Sequence, residues 1–302
     1  QTEITGMAQA EVARLLPLGR RHKWRLWITY HSYYKAPDLI GPKVAQALGI
    51  PYIQIEATRA RKRLTGPWAA FAKAAEDATD TAAAVFYLTG HDEEALRAYR
   101  PPHQRLVHLR PFLARSDLPP ATSGQSGMLS VGMFRAGDKL ASYRLIADTL
   151  GLLQTPDWRL DIVGDGPERP AIEAMMAPFG TKVHFHGALD PDQVGKVYRN
   201  ARLLLWPGVN EAFGMTYLEA QAAGVPVVAQ DRHGVRDVLA PGAAYPAPDV
   251  GANGLAARVD LLSRMPKLRQ HLGAAAREYV ERHHLLSAAR DTLRNTIEEV
   301  LS

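Results

Sequence analysis

The sequence predicts an α/β protein built from two parallel sheets, each covered by helices. Short apolar runs alternate with helical patterns along most of the 302 residues, which is typical of parallel sheets with helices on their faces. The alternation is interrupted once, over residues 110–127, where proline, serine and glycine are frequent and no periodicity is visible. Because a domain has about 150 residues on average, the length agrees with two such domains joined by a linker.

The first half of the chain contains about four predicted strands. They are Arg25–Tyr30, Tyr52–Glu56, Ala83–Leu88 and Arg105–Leu109. The helical patterns between them cover Leu39–Leu48, which we expect to be broken at Pro42, then Pro67–Thr79 and Asp92–Tyr99. A Rossmann-like domain ordinarily has about six or seven strands. Since the chain starts at Gln1 directly before a helical pattern, we expect this first domain to lack its N-terminal strands.

The second half repeats the alternation more completely, with about six predicted strands. The clearest are Met128–Gly132, Trp158–Val163, Lys182–His186, Ala201–Trp206 and Val225–Ala229. Helices are predicted from Leu140 to Leu152, Pro167 to Pro178, Pro191 to Asn200, Tyr217 to Ala223, Gly251 to Arg264, Lys267 to His283 and Leu285 to Leu301. The predicted organisation is an N-terminal domain at 1–110, a linker at 111–127, a C-terminal domain at 128–284 and a last helix at 285–302.

Composition and short motifs exclude several functional classes. The chain contains no cysteine, so disulfides, thiolate nucleophiles and thiolate metal sites are excluded. No apolar stretch approaches the roughly 20 residues of a membrane span. The strings G-x-S-x-G, G-x-G-x-x-G and G-x4-G-K-[ST], which indicate serine hydrolases, dinucleotide-binding domains and P-loop enzymes, are absent.

The formal net charge of +5 indicates anionic partners such as nucleotide phosphates or an anionic bilayer. Nucleic acid is not predicted, because the chain has no zinc-finger spacing and no RNP-like string. We interpret the basic clusters Arg20–Lys23 and Arg59–Arg63 as solvated surface.

The most informative stretch is Pro207–Ala229, which reads PGVNEAFGMTYLEAQAAGVPVVA. Its pattern predicts a loop after a strand, then a helix and a second strand, one unit of a parallel sheet. Glu211 is expected on the loop beyond the strand's carboxyl end, where open α/β sheets bind ligands. Gly214 is expected where the helix begins, and the free amides there suit an anionic group such as phosphate. Together with the second acceptor, Glu219, the stretch predicts a phosphorylated ligand with several hydroxyls, and a nucleotide-sugar fits that description.

The string E-A-F-G-M-T-Y-L-E followed by A-x-A-A-G-V-P-V-V-A resembles the Glu-x7-Glu signature of retaining, nucleotide-sugar-dependent glycosyltransferases of the GT-B type (glycosyl transferases group 1). The two carboxylates, the Phe-Gly between them and the Gly-Val-Pro-Val strand match in register. The resemblance is specific over residues 129–237 and looser over 27–115. It implies the GT-B fold: two Rossmann-like domains facing each other across a cleft, with the last helix crossing back to the first domain.

The activity implied by the resemblance is hexosyltransferase-like. A sugar moves from a nucleoside-diphosphate sugar (UDP or GDP) to a hydroxyl acceptor, saccharide or lipid-linked, with retention of the anomeric configuration. No cofactor and no metal are expected, and no enzyme nucleophile is required. A cytoplasmic protein is expected, since the absence of cysteine is compatible with a reducing compartment. The basic charge, together with the lipid-linked acceptors of related enzymes, allows peripheral contact with the inner face of the membrane.

The resemblance assigns roles to residues of the Glu-x7-Glu stretch. Glu219 is expected to accept hydrogen bonds from ribose hydroxyls and Glu211 from hydroxyls of the sugar. The amides of Phe213, Gly214 and Met215 are expected to meet the sugar or the diphosphate.

The stretch Gly132–Lys139 departs from the family's usual Val-Gly-Arg string, because Met133 stands at the usual arginine position. We therefore assign the cationic clamp of the donor diphosphate to Arg135 and Lys139, since negative charge builds on that group as the bond breaks. The alternative is that both are surface cations on a loop. Gly132 is expected to line the donor site.

Two further loops are expected beside the nucleotide base. One contains Gly164, Asp165 and Gly166, and the other His186 and Gly187. His184 and His186 share one side of a predicted strand, but without a third ligand no zinc site is predicted. His283 and His284 are interpreted as surface residues at a helix break.

His31 ends the first predicted strand, and a side chain at the carboxyl end of a parallel strand faces the ligand-binding edge. The resemblance implies that it lies near the donor sugar; the alternative is a histidine bonded to a neighbouring loop. Tyr33, Tyr34 and Lys35 follow on the same loop and are expected to meet the acceptor.

Two other functions stay open at this point. A different GT-B enzyme, such as a nucleotide-sugar 2-epimerase, would isomerise the sugar without an acceptor. A non-catalytic nucleotide-sugar-binding module would bind the donor without turning it over.

Overall fold

The computed structural model describes all 302 residues, which divide into two compact units. Unit 1 contains Gln1–Arg110 together with Ala289–Ser302, and unit 2 contains Pro111–Ala288. None of the helices combines the length and the apolar character that a membrane span needs.

Unit 1 contains a parallel sheet of four strands in the order β1-β2-β3-β4. Its elements are α1 (Thr2–Arg21), β1 (Trp27–Tyr30), α2 (Gly41–Leu48), β2 (Tyr52–Ile55), α3 (Ala69–Thr81), β3 (Ala84–Tyr87), α4 (Gly90–Ala98) and β4 (Arg105–His108). Every residue of β3 is buried, as expected for an inner strand of a sheet covered on both faces. Pro42 lies in the first turn of α2 and does not break it, because the first turn has no intrahelical N–H bond to lose.

Unit 2 contains a parallel sheet of five strands in the order β7-β6-β5-β8-β9, so the expectation of about six strands was one too many. Its elements are β5 (Met128–Val131), α5 (Asp138–Gly151), β6 (Leu160–Val163), α6 (Arg169–Met176), β7 (Val183–Gly187), α7 (Pro191–Tyr198), β8 (Leu203–Leu205), α8 (Met215–Ala222), β9 (Val227–Val228), α9 (Gly251–Arg264) and α10 (Pro266–His283). The helix α11 (Leu286–Leu301) begins in unit 2 and continues into unit 1.

The strand order of unit 2 reverses at β5. From β5 the chain adds β6 and β7 on one side, and then β8 and β9 on the other. Such a reversal is a topological switch point, beside which open α/β sheets bind ligands at the carboxyl ends of the strands. The core around β5 and β8 is closely packed, with Leu129, Tyr143 and Trp206 almost completely buried.

The segment 111–127, predicted as a linker, belongs to unit 2. It is attached by backbone hydrogen bonds, because the Thr122 N–H donates to the Ala223 carbonyl and the Ser126 N–H to the Asn200 carbonyl, at 2.7 and 2.8 Å. Irregular composition predicted a linker here, and these main-chain bonds attach it to unit 2 without any periodic side-chain pattern.

The interpretation of His284 as a surface residue was wrong. His284 is fully buried, and its Nδ1 lies 2.6 Å from the carbonyl oxygen of Pro111. The Leu113 N–H donates to the His284 carbonyl at 2.8 Å. The start of the 111–127 segment therefore covers the break between α10 and α11, which sequence periodicity alone leaves exposed.

Candidate functional site

A cavity of about 880 Å³ opens in unit 2 beside the switch point. Its walls come from the carboxyl ends of β5 and β6, the loop after β7, helix α7, the start of α8 and the segment 113–119. The polar and charged side chains of the lining are Arg115, Lys139, Asp165, Tyr198, Glu211, Thr216 and Glu219.

The amino end of α8 faces this cavity. Gly214 precedes the helix with φ 73°, and a Cβ there would lie 2.6 Å from the Tyr217 ring, so that glycine is required. The backbone N–H groups of Gly214, Met215 and Thr216 have no acceptor within the protein. Three free donors at the positive end of a helix dipole are suited to an anionic group.

Glu211 lies on the loop before α8 and is held by two donors. Its Oε1 accepts hydrogen bonds from the Nζ of Lys139 and, at 2.9 Å, from the Nε1 of Trp206. Lys139 comes from the first turn of α5, and its Nζ lies 5.3 Å from the centroid of the Trp206 ring. Only 12% of the Glu211 side chain and 25% of the Lys139 side chain is exposed, so the pair is partly shielded from water. The second oxygen of Glu211 has no partner in the protein.

Glu219 lies on α8 in a different electrostatic setting. Its Oε2 accepts a hydrogen bond from the Tyr198 hydroxyl at 3.1 Å, and no cation pairs with it. Burial raises the pKa of Glu219 above its usual value, and the Tyr198 hydrogen bond opposes this only in part. The cavity therefore contains a carboxylate that has lost water and has gained a single donor, and its Oε1 remains without a protein partner.

Another wall of the cavity is formed by the closely packed backbone of the loops after β5 and β6. A Cβ on Gly164 would lie 1.9 Å from the Gly132 carbonyl oxygen, so only glycine allows the loops after β5 and β6 to approach this closely. The Phe134 N–H donates to the Asp165 carbonyl and the Glu168 N–H to the Phe134 carbonyl, both at 3.0 Å. Phe134 is completely buried, which fixes this pair of loops at the edge of the cavity.

The cavity brings together most of the residues predicted from the sequence. Those in its lining are Gly132, Lys139, Gly164, Asp165, Glu211, Gly214, Met215 and Glu219. His31 belongs to unit 1, at the carboxyl end of β1.

Besides His31, five predicted residues lie outside the lining: Arg135, Gly166, His186, Gly187 and Phe213. Arg135 is exposed, because the neighbouring Phe134 is the residue of that loop that enters the core. The Nε2 of His186 lies 2.7 Å from Asp161 Oδ1 within the sheet. Phe213 packs against the hydrophobic core, while Ala188 and Leu189 line the cavity in place of His186 and Gly187.

Sequence reasoning missed Tyr198 and the segment around Leu113 and Arg115. Tyr198 ends α7, where its hydroxyl donates to Glu219 although 21 residues separate them. The one available signal was a tyrosine at the end of an amphipathic helix, since a buried hydroxyl requires a partner. Nothing in the irregular segment 113–119 indicated that it forms a wall.

Comparisons with known proteins agree with this geometry. Residues 139–279 match the family model described as glycosyl transferases group 1. Sulfoquinovosyl transferase SQD2 of Arabidopsis thaliana is 26% identical over 166 residues, 52% of this chain and 30% of that protein. Alpha-D-kanosaminyltransferase of Streptomyces kanamyceticus is 25% identical over 288 residues, 90% of this chain and 74% of that protein.

The fold also occurs among solved structures. Anabaena Alr3699/HepE, solved in complex with UDP, superposes with a TM-score of 0.73 over 95% of this chain and 82% of that one, at 15% identity. Residues 139–279 are therefore similar to the glycosyl transferases group 1 family, and the chain has the GT-B fold.

Proposed function

We propose that this protein transfers a sugar from a nucleoside-diphosphate sugar to a hydroxyl acceptor, with retention of the anomeric configuration. The observation that carries the proposal is the amino end of α8, whose three free N–H groups line a cavity that has a carboxylate on either side. A diphosphate supplies acceptors for such N–H groups, and the hydroxyls of two sugar rings supply donors for the two carboxylates.

The diphosphate would bind between the start of α8 and Lys139. Amides and an ammonium placed where negative charge develops stabilise the departing phosphate in the transition state, and they act more strongly where water is excluded. Lys139 is 25% exposed, so its ammonium is partly shielded from water. We extend the proposal to turnover without a metal ion, with these groups neutralising the leaving group.

Glu211 would bind hydroxyls of the transferred sugar. Its Oε1 is held by Lys139 and Trp206, so the carboxylate is oriented while Oε2 remains available as an acceptor. A bond from a neutral hydroxyl to a fixed carboxylate is stronger than one between two neutral groups.

Glu219 would bind the ribose hydroxyls through its free Oε1. The nucleotide base would then lie against the apolar wall that contains Leu113, Leu189 and Val194. The UDP complex of Anabaena Alr3699/HepE supports a nucleoside diphosphate as the ligand class.

Retention follows if the acceptor attacks on the face from which the diphosphate leaves. The bond from the anomeric carbon to the phosphate oxygen breaks, the bond to the acceptor oxygen forms, and the acceptor proton passes to the released phosphate. No carboxylate of the protein has to form a covalent intermediate in this scheme.

The proposal is tested by calorimetric titration with UDP and GDP, followed by NMR of the product formed from the nucleotide-sugar that corresponds to the tighter ligand. Micromolar binding and a product with the anomeric configuration of the donor are expected. Binding of neither nucleotide would contradict the proposal, and a product of inverted configuration would contradict the retaining reaction. Isomerisation of the donor without an acceptor would identify an epimerase instead.

A further inference from the structure

Two residues of unit 1 have a strained backbone at neighbouring strand ends. Only four non-glycine residues of the chain have positive φ: Lys23, His31, Glu56 and Asn210. His31 directly follows β1 and Glu56 directly follows β2, with φ 60° and 57°. Since Tyr30 is paired with Ile55 in the parallel ladder, His31 and Glu56 occupy the next step of the register. Non-glycine residues with this backbone concentrate at functional sites.

The two side chains face each other at this edge. The Nδ1 of His31 lies 3.4 Å from the Oε1 of Glu56, with 51% of the imidazole and 21% of the carboxylate side chain exposed. The other carboxylate oxygen, Oε2, is buried without a hydrogen-bond partner. A buried carboxylate oxygen without a hydrogen-bond partner in the protein is uncommon, and a ligand-binding role for the residue is one reason for it.

Aromatic rings flank the imidazole. The Tyr30 ring is 5.9 Å away and the Tyr33 ring 5.2 Å away, measured between centroids. The Glu56 carboxylate also raises the pKa of the Tyr30 hydroxyl. The Nε2 of His31 has no partner in the protein. Because His31 directly follows β1, its Nε2 lies at the carboxyl end of a parallel sheet, where such sheets bind ligands.

We infer that Glu56 is a positioning residue for His31, and that it orients the imidazole so that Nε2 accepts a hydrogen bond from a sugar hydroxyl. A carboxylate beside Nδ1 keeps the proton on that nitrogen, which leaves the lone pair of a neutral imidazole on Nε2. The substrate hydroxyl is then the donor, and no bond other than a hydrogen bond is made or broken. This inference rests on the proposed function, because it takes a sugar as the ligand.

The first experiment determines which imidazole nitrogen of His31 carries the proton when no ligand is present. Long-range ¹H–¹⁵N NMR of the imidazole should show the proton on Nδ1 in the wild-type protein and a shift toward Nε2–H in Glu56→Gln. A control variant, Asp77→Asn on the exposed face of α3, should leave the His31 spectrum unchanged. An Nε2–H tautomer in the wild-type protein would overturn the inference even if the protein were not a glycosyltransferase.

The second experiment is a double-mutant cycle on turnover. His31→Ala and Glu56→Gln should each lower kcat by at least about tenfold, and the double variant should be no worse than His31→Ala alone. The Kd of the nucleoside diphosphate should stay within about twofold of wild type, because the residues proposed to bind it lie in unit 2. Equal losses from Glu56→Gln with and without His31 would show that Glu56 acts independently, which overturns the inference.

Two further arms complete the test. Slower hydrolysis of the donor by the variants in the absence of acceptor indicates contact with the donor sugar. A raised KM for the acceptor with the rate of hydrolysis unchanged indicates contact with the acceptor.

If Glu56→Gln does not fold, Glu56→Asn replaces it, because asparagine adopts the left-handed backbone readily. Failure of the wild-type protein to bind any nucleoside diphosphate would count against the proposed function, and the tautomer measurement would still decide the role of Glu56.

Discussion

The two carboxylates of the cavity differ in how their charge is held. Glu211 lies against Lys139 and Trp206, which both donate to its Oε1. Glu219 receives only the Tyr198 hydroxyl and lies away from any cation, so that burial raises its pKa. The charge of Glu211 is balanced by a cation of the protein. Glu219 has no such cation and only one donor within the protein. The difference indicates that Glu211 is preorganised by its partner, whereas Glu219 costs stability until a ligand supplies hydroxyls.

The largest expected effect is on kcat, when the cation that pairs with Glu211 is removed. Lys139→Ala should lower kcat by roughly 10²–10³ at saturating donor, because it removes a group proposed to stabilise the departing diphosphate. It also leaves the partly buried Glu211 without its cation. Arg282→Ala, which removes an exposed cation paired with Glu278 on α10, is the matched control and should leave kcat unchanged. Equal kcat for Lys139→Ala and the control would remove Lys139 from the reaction.

The next effect separates the two carboxylates by affinity. Glu219→Gln should weaken nucleoside-diphosphate binding by about 1.5–3 kcal/mol, the contribution of hydrogen bonds to a charged acceptor. Glu211→Gln should change the affinity for the free nucleoside diphosphate much less, because its proposed partner is the sugar. Isothermal titration of both variants with UDP or GDP measures the difference. If both variants lost the same affinity, the division of roles would be wrong.

A smaller effect concerns the single donor to Glu219. Tyr198→Phe should lower the free energy of unfolding by about 1–2 kcal/mol, since it leaves a buried carboxylate oxygen without its hydrogen bond. Tyr245→Phe, which removes a bond from a partly buried hydroxyl to the Ala240 carbonyl, is the control for a neutral acceptor and should cost less. Urea denaturation of the two variants tests this order, and a larger loss for Tyr245→Phe would contradict it.

The smallest effect is on the pH dependence of stability. The pKa of Glu219 in the folded protein lies above 4.5, its value in the unfolded chain, so the unfolded chain releases this proton first as the pH rises. The stability that Glu219 contributes is therefore highest below pH 4.5 and is lost as the pH rises through the folded pKa. Glu219→Gln should gain stability relative to wild type over that window, whereas Glu211→Gln should be less stable than wild type at pH 7. A pH-independent difference between wild type and Glu219→Gln would contradict the raised pKa.

Local sequence patterns predicted much of this cavity, because the relevant groups lie close together in the chain. The stretch from Glu211 to Glu219 combines a strand end, a loop and a helix start, so its pattern alone brought two carboxylates and the free amides together. Lys139 was also predicted, from the resemblance of Gly132–Lys139 to the family's cationic clamp.

The parts that were missed depend on contacts between distant segments. Tyr198 donates to Glu219 from a different helix, 21 residues away in the chain, and a local sequence pattern does not predict such a contact. The segment 113–119 is attached by main-chain bonds at Leu113 and Arg115 and by the packing of Leu113 and Leu118 against the core, and neither follows a periodic pattern. In the loop after β5, Phe134 and not Arg135 points into the core. Which of the two does so depends on the space left by the loop after β6. Glu56 has no sequence signal, because its strained backbone and incomplete pairing are visible only in three dimensions.

The central claim is tested most directly by the amide resonances at the start of α8. A ¹⁵N-resolved titration with a nucleoside diphosphate should shift the Gly214, Met215 and Thr216 amides strongly, with downfield movement of their protons as they donate to phosphate oxygens. Glu219→Gln should require a higher ligand concentration for the same shifts. Binding that leaves these three resonances unmoved would contradict the account.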